Sequence, residues 1–200
     1  MARWQPDARG RLAQAAVELY AERGYDATAV AQIAERAGLT ERTFFRHYAD
    51  KREVLFTGAS ELQDRLVCRV RDAPPTTAPL DAVASAFEAT GPFFEQLGPY
   101  VRVRQQLIDA NPELHERELT KLSALAAALG DALRARGVHD AAADLTAETG
   151  VAMFKVAFGR WIHTDDYTTL TQTLRESFDE LRRLTAHNEP RPADQLPPPA

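Results

Sequence analysis

The chain has 200 residues, of which 44% are hydrophobic and 26% charged, and this composition is typical of a folded globular protein with a substantial core. It has no apolar run near the roughly 18 residues that a membrane span requires. Residues 1–11 lack the apolar segment of a signal peptide, so a cytoplasmic protein without a membrane partner is expected. The formal net charge of −5 divides into +2 for residues 1–71 and −7 for the remainder; nucleic-acid binding is not excluded, because phosphates respond to local charge.

The first predicted helix begins near Pro6 and Asp7, where a proline suits the first turn and an acidic side chain suits the positive end of the helix dipole. Gly24 ends the helix. Its apolar positions recur on one face, at Leu12, Ala15, Ala16, Leu19 and Tyr20. This helix is therefore expected to bury one side against the elements that follow it.

Two short helices joined by a tight turn are predicted within residues 28–51, TAVAQIAERAGLTERTFFRHYADK. The apolar side chains of the first helix recur at helical spacing, at Val30, Ile33, Ala34 and Ala37. Thr28 is placed to cap its N-terminus, and Gly38 supplies a left-handed residue at its end. In the second helix Phe44 and Tyr48 share one face. A short helix that buries one edge and carries polar donors on the others is typical of a recognition helix.

A longer helix is predicted from about Lys51 to Arg71, and the single cysteine within it, Cys68, is expected to be a small buried residue. Segment 72–79 contains three prolines, which forbid a helix, and it is interpreted as a linker or domain boundary. Only helices follow, at about 80–97, 100–110, 112–136, 141–162 and 167–186. The tail, 188–200, is proline-rich and is expected to be disordered. The predicted fold class is therefore all-α.

The motif in residues 28–51, followed by Leu55, resembles the TetR family of transcriptional regulators, because the glycine turn, the aromatic pair, the histidine and the lysine occur at that family's spacing. The resemblance implies a three-helix helix-turn-helix DNA-binding domain in residues 1–52, a bridging helix at 51–71, and a larger helical domain for effector binding and dimerisation at 72–187. It also implies a function, that of a homodimeric repressor that a small lipophilic effector releases from a near-palindromic operator. No cofactor, metal or catalytic residue is implied.

Four residues are assigned to the bases by this resemblance. Glu41, Arg42 and Thr43 would face base edges in the major groove. Arg42 is expected to make a bidentate contact to guanine, and Glu41 either accepts from a cytosine amino group or repels phosphate. Phe45 stands where the family usually has tyrosine, so a contact to a thymine methyl or a sugar is expected there.

Five more residues are assigned to the DNA backbone and the groove wall. Thr28 and Thr40, each at the start of a helix, would donate to phosphates with help from the helix dipole. Arg46 and His47 would lie along the groove wall. Lys51 would bind a phosphate from the start of the following helix.

The C-terminal helices are expected to carry the dimer interface and the effector site. Family members usually pair through their last two helices, here 141–162 and 167–186, whose apolar residues exceed what one monomer face requires. The two recognition helices would then lie about 34–36 Å apart, one turn of DNA. An apolar effector cavity is expected, and its candidate residues are Phe94, Leu97, Val101, Arg104, Phe154, Phe158 and Trp161, with Phe93, Leu107, Met153, Arg102 and Arg160 as further candidates.

Other functions were weighed against this one. An enzyme is disfavoured, because no nucleophile elbow, phosphate loop or metal-ligand spacing occurs, and capping at a helix end explains the His-Thr-Asp-Asp cluster at 163–166 better than catalysis does. A helical adaptor that binds protein, and an activator with the same fold, stay open. Binding to DNA would be distinguished by a steep loss of affinity with salt.

Overall fold

The computed structural model describes residues 8–164 and 168–186. Every element in these two ranges is helical, which confirms the predicted all-α class. The elements are α1 Ala8–Arg23, α2 Val30–Arg36, α3 Glu41–His47, a 3-10 helix Glu53–Phe56, α4 Ala59–Asp72, α5 Pro79–Glu88, α6 Gly91–Leu97, α7 Pro99–Ala110, α8 Pro112–Ala135, α9 Asp140–His163 and α10 Leu170–Thr185. Pro6, Asp7, residues 165–167 and the predicted disordered tail at 188–200 lie outside the described residues.

The first three helices pack into the predicted helix-turn-helix unit around one apolar core. Leu12, Ile33 and Phe44 are fully enclosed in it, as the helical spacing predicts. Gly38 follows α2 with a φ of +66°, a left-handed conformation that glycine adopts without a steric penalty. The predicted tight turn between α2 and α3 is therefore present.

The bridging helix is shorter than the prediction of 51–71. The 3-10 helix comes first, and α4 begins only at Ala59. The three consecutive apolar residues of the 3-10 helix are all buried, which a regular α-helix with one buried face would not achieve. Gly58, at a φ of +85°, then reorients the chain before α4.

Cys68 is exposed, so the expectation that it is buried is wrong. The buried residues of α4 are Leu66 and Val70. These two lie one helical turn apart on the face toward the core, and a residue midway between them in the sequence falls on the opposite face.

The helix predicted at 80–97 is interrupted and forms α5 and α6. Pro92 lies in the first turn of α6, where its missing N–H prevents the backbone hydrogen bond that a continuous helix would need. The Thr90 hydroxyl donates to the backbone carbonyl of Phe87 at 2.7 Å and closes the end of α5.

Two apolar cores hold the described residues together. The larger lies among α4, α5, α8, α9 and α10, and because α4 and α5 share it, segment 73–78 is a turn between packed helices. The smaller core, under the helix-turn-helix unit, also takes in Ile108 from α7 and Leu114 from α8. The helix-turn-helix unit therefore packs directly against the C-terminal helices, and its core continues beyond residue 52.

Candidate nucleic-acid interface and effector cavity

The orientation of α3 is set by side chains anchored in the core. Phe44 is fully buried and Tyr48, directly after the helix, is 5% exposed, with their ring centroids 5.5 Å apart. The Tyr48 hydroxyl donates to the backbone carbonyl of Arg9 at 3.0 Å. At the other end Thr40 caps the helix, since its Oγ1 accepts from the N–H of Thr43 at 3.2 Å. The predicted packing of the aromatic pair is therefore confirmed, and the opposite face of α3 points to solvent.

That solvent-facing surface, which we call the α3 outer face, consists of Glu41, Arg42, Phe45 and Arg46. Within the described part of the chain, the side chains of Arg42 and Arg46 make no hydrogen bond or ion pair. Phe45 is 56% exposed, an unusual position for a large aromatic ring. Unpaired guanidinium groups beside an exposed ring match the chemistry of guanine edges and thymine methyls.

The side chains that border this face are less accessible to a binding partner, because they are half-buried or form an ion pair. Thr43 and His47 are half-buried. Arg52 forms an ion pair with Asp50, whose Oδ2 lies 2.6 Å from the arginine Nη2. The positive charge of the interface therefore comes mainly from the arginines of the α3 outer face.

Thr28 does not face a phosphate. Thr28 is only 1% exposed, and its Oγ1 donates to the backbone carbonyl of Gly24 at 2.8 Å. The N-cap of α2 is Ala29, whose N–H donates to the Gln32 side chain at 2.9 Å. The predicted helix cap and phosphate contact of Thr28 are therefore wrong, because its hydroxyl closes the loop between α1 and α2 instead.

Lys51 points into the same loop. Its Nζ donates to the backbone carbonyls of Tyr25 at 2.9 Å and Thr28 at 3.2 Å, and it lies 4.2 Å from the centroid of the Tyr25 ring. A longer contact of 3.5 Å reaches the carbonyl of Asp26. An ammonium group has three N–H donors, so the expected phosphate contact is corrected to a structural role, in which Lys51 ties the segment after α3 to the loop before α2.

We expect Lys51→Met to lower the free energy of unfolding by about 1–3 kcal/mol, because the loop carbonyls lose a charged donor. Urea denaturation followed by circular dichroism measures the change. Arg69→Met removes a positive charge from the exposed side of α4 and is the control, with an expected change within about 0.5 kcal/mol. Equal loss of stability in both variants would contradict the structural role of Lys51.

An apolar cavity of about 480 Å³ has walls from the 3-10 helix, the start of α4, α6, α7, α8 and α9. Phe94 contributes to an aromatic part of the wall. Its ring centroid lies 5.3 Å from that of Phe158 and 5.9 Å from that of Phe154. Most of the predicted effector residues line this cavity, namely Phe94, Leu97, Val101, Arg104, Phe154 and Phe158, together with Phe93. Its volume and apolar walls suit a small or elongated lipophilic molecule.

Five candidate effector residues do not line the cavity: Trp161, Leu107, Met153, Arg102 and Arg160. Trp161 follows Phe158 by three residues, so its side chain is rotated about 60° away around α9, and its ring packs against the larger core. Arg102 donates to the backbone carbonyl of Ile162. Trp161 therefore does not line this cavity.

Arg104 connects the cavity to the segment that follows the helix-turn-helix unit. Its Nε donates to the backbone carbonyl of Leu55 in the 3-10 helix, and its guanidinium lies 5.2 Å from the ring centroid of Phe56. Burial lowers the pKa of Arg104, and the carboxylate of Glu118, 3.8 Å away, partly offsets this. A ligand that contacts Arg104 would thus act on the segment between α3 and α4.

Sequence reasoning missed two walls of the cavity. One is formed by residues 55–60, 62 and 63, and the other includes Leu122 and Leu125 of α8. An aliphatic residue at helical spacing has the same pattern whether it packs in a filled core or faces a cavity. No signal in the sequence therefore distinguished these residues.

One apolar stripe on α9 is not covered by any described element. Leu145 is 71% exposed and Val156 is 51% exposed, and Ala152 between them is also exposed. We call these three residues the α9 stripe, since their spacing of seven and four places them on one helix face. In α10, by contrast, most of the predicted apolar residues are buried within the monomer: Leu170, Leu174 and Phe178. Leu184, near the end of α10, is 75% exposed.

Two features are absent from residues 8–164 and 168–186, a metal-binding cluster and a membrane-spanning helix. No group of three or more His, Cys, Asp or Glu side chains comes together there in a way that could hold a metal ion. No helix in these ranges is long and apolar enough to cross a membrane. The cluster at 163–166 falls partly outside them.

Comparison with known proteins identifies both halves of the chain. The family model described as "Bacterial regulatory proteins, tetR family" matches residues 12–57, and the one described as "MftR C-terminal domain" matches residues 77–186. The HTH-type transcriptional regulator TcmR of Streptomyces glaucescens is 29% identical over 187 residues, which cover 87% of this chain and 82% of TcmR.

Solved structures share the fold. The FadR repressor of Thermus thermophilus, in complex with lauroyl-CoA, has a TM-score of 0.58 at 22% identity, over 92% of this chain and 98% of FadR. The complex of triclosan with SmeT, an efflux-pump repressor of Stenotrophomonas maltophilia, has a TM-score of 0.65 at 16% identity, over 96% of this chain and 98% of SmeT. Because the C-terminal family model alone spans more than half of the chain and the N-terminal model covers the helix-turn-helix unit, the chain belongs to the TetR family of transcriptional regulators, which bind DNA and are not enzymes.

Proposed function

We propose that this chain is a homodimeric cytoplasmic repressor that binds a near-palindromic operator and leaves it when a small lipophilic effector enters the apolar cavity. The observation that carries the proposal is the position of the cavity. Its wall includes residues 55–60, in the segment that joins the helix-turn-helix unit to α4. A molecule in the cavity therefore contacts the part of the chain that positions the recognition helix.

The proposed DNA contacts are made by α3 and its cap. Arg42 binds a guanine edge, supported by its exposure and its lack of a partner within the described residues. Phe45 contacts a thymine methyl or a sugar. The remaining contacts, to bases, groove wall and phosphate, are assigned to Glu41, Thr43, Arg46, His47 and Thr40.

The proposed dimer forms through the α9 stripe, together with the exposed Leu184 of α10. An exposed apolar surface with this helical spacing is typical of a helix that packs against a second helix. A two-fold axis there would present two copies of α3 to one face of DNA. Their separation would be about 34–36 Å, one turn of the double helix.

The effector is proposed to be lipophilic because the cavity walls are mainly aromatic and aliphatic. Two proteins of the same fold support this assignment, since their structures contain lauroyl-CoA and triclosan, both with large apolar parts. The effector weakens operator binding only if it prefers the conformation that does not bind DNA. The contact of Arg104 with the Leu55 carbonyl offers a direct link between the two sites.

The proposal is tested by the DNA that the purified protein retains. Fragments enriched from DNA upstream of the encoding locus, and from random oligonucleotides, should contain a near-palindrome. The logarithm of the affinity should fall linearly with the logarithm of the salt concentration. A protein-binding adaptor would enrich no sequence, and transcription in vitro from a promoter with the enriched site separates a repressor from an activator.

Narrowing the cavity should weaken binding of a neutral apolar probe, N-phenyl-1-naphthylamine. Leu97 lines the cavity and is 37% exposed, so Leu97→Trp can fill space at the cavity mouth without overpacking the core. We expect at least a 10-fold loss of probe affinity, measured by fluorescence titration. Leu119→Trp is the matched control, because Leu119 is 42% exposed and does not line the cavity. An unchanged affinity in Leu97→Trp would contradict this assignment of the effector site.

A further inference from the structure

A second cavity, of about 330 Å³, lies where the helix-turn-helix unit meets α8. We call it the seam cavity and define it by Arg9, His47, Glu53, Arg117 and Lys121, which belong to four different helical elements and are all part of its wall. Unlike the apolar cavity, its lining is predominantly polar. It therefore offers a site for a charged group rather than for a hydrocarbon.

Positive charge exceeds negative charge in the seam cavity. Its wall contains four Arg and Lys side chains but only two carboxylates, those of Asp50 and Glu53. Arg117 and Lys121 share the single carboxylate of Glu53, with Nζ of Lys121 at 3.0 Å. Burial of Glu53 acts to raise its pKa. Hydrogen bonds from the two cations outweigh this effect, so the pKa of Glu53 lies below its usual value. Because Glu61, which lies outside the wall, forms an ion pair with Arg9, one net positive charge remains, and the site suits an anionic group.

Two nitrogen atoms in the wall lack partners. Nε of Arg9 and Nε2 of His47 are buried and have no hydrogen-bond partner among the described residues. The guanidinium of Arg9 is held in place by Glu61, whose Oε1 lies 2.6 Å from Nη1. A buried N–H without an acceptor is unfavourable, so an acceptor that enters the seam cavity would satisfy a donor that the chain leaves unpaired.

The seam cavity adjoins the apolar cavity. Phe56, Ser60 and Lys121 belong to the walls of both. A molecule that combines an apolar chain with a charged group at one end would reach both cavities by passing between these shared side chains. A carboxylate carries a single negative charge, whereas a phosphate monoester carries about −1.5 to −2 at neutral pH and has three acceptor oxygens.

We propose that the seam cavity binds the phosphate group of the effector while the apolar chain of the same molecule occupies the apolar cavity. This inference rests on the proposed function, and it names the chemical class of the effector as an amphipathic phosphate. Arg117 and Lys121 bind the phosphate from α8, and Arg9 supplies its unpaired N–H from α1.

Binding of the phosphate would also change the link between the two parts of the chain. Arg117 and Lys121 hold Glu53 of the 3-10 helix against α8. A phosphate competes with Glu53 for both cations, and release of this carboxylate loosens the 3-10 helix that follows α3. The charged end of the effector would in this way act on the position of the recognition helix.

The test compares three probes by isothermal titration calorimetry on the full chain: dodecyl phosphate below its critical micelle concentration, 1-dodecanol and inorganic pyrophosphate. We expect dodecyl phosphate to bind at least 10-fold more tightly than 1-dodecanol. Arg117→Gln should remove most of this preference and leave the affinity for 1-dodecanol unchanged, because Arg117 lines only the seam cavity. Lys121→Gln, which alters both walls, should also reduce the preference. Two variants are used so that a folding defect in one, detected by its thermal unfolding curve, does not decide the result.

Arg134→Gln is the matched control, because Arg134 lies on the same helix in a separate ion cluster with Asp140 and Asp144. It should keep the full preference for dodecyl phosphate. Equal affinity for dodecyl phosphate and 1-dodecanol would overturn the proposal, and so would pyrophosphate binding as tightly as dodecyl phosphate, which would mark a site for free phosphate. Operator binding is measured without any probe, so a failure of the proposed regulatory function is distinguished from a failure of this ligand assignment.

Discussion

Arg42→Ala is expected to weaken operator binding of the dimer by about 30-fold or more. A bidentate contact between arginine and guanine contributes about 1–3 kcal/mol of discrimination, and a two-fold dimer loses this contact in both half-sites, with each 1.4 kcal/mol equal to a factor of ten. Arg42 is exposed on α3 and has no partner among the described residues. Its replacement should therefore leave the fold intact, and fluorescence anisotropy with the enriched operator measures the loss.

The control for Arg42→Ala is Arg69→Ala, which removes the same charge from the exposed side of α4. It should change the affinity only through the general electrostatic attraction of DNA. A second readout is specificity, measured as the ratio of the affinities for the operator and for an operator with an altered half-site. This ratio should be smaller in Arg42→Ala than in the unaltered protein. If both variants lose affinity to the same extent and neither loses specificity, the assignment of Arg42 to a base is wrong.

Val156→Arg is expected to convert the dimer to a monomer and to lower operator affinity by about 100-fold or more, because linking two binding units raises avidity by about 10²- to 10⁴-fold. Val156 is 51% exposed at the C-terminal end of the α9 stripe, so an arginine there can point into solvent in the monomer. In the dimer the same arginines would be buried without a partner, which is strongly unfavourable. Sedimentation velocity gives the oligomeric state, and anisotropy gives the DNA affinity.

Leu119→Arg provides the comparison for this dimer prediction. Leu119 is 42% exposed and lies on α8, a different helix from the α9 stripe. Its replacement should leave the dimer intact. A Val156→Arg protein that remains a dimer with unchanged operator affinity would show that α9 does not form the interface.

The core of the helix-turn-helix unit was predictable because it depends on local periodicity. Ile33 and Phe44 are buried and Gly38 is left-handed, as the sequence indicated. The exposure of Arg42 and Arg46 follows from the same pattern, since these residues lie on the face of α3 opposite the buried one.

The errors arose where a side chain had more than one partner available. Thr28 and Lys51 were assigned to phosphates, yet their donors reach backbone carbonyls of the α1–α2 loop instead. The continuous helix predicted at 51–71 overlooked that Val54, Leu55 and Phe56 must all be buried at once. A pattern of residue types does not show which acceptors the fold brings within reach of a donor.

The sequence by itself determined the all-α class, the turn at Gly38 and the polar face of α3, because these depend on contacts within a few residues along the chain. Only the tertiary structure decided where donors and cavities lie, because these depend on contacts between distant segments. It directs Lys51 to the carbonyl of Thr28 and joins Arg104 to Leu55, pairs separated by 23 and 49 residues. It also leaves open the space between α8 and the 3-10 helix, where side chains from four elements surround a cavity that none of them reveals alone.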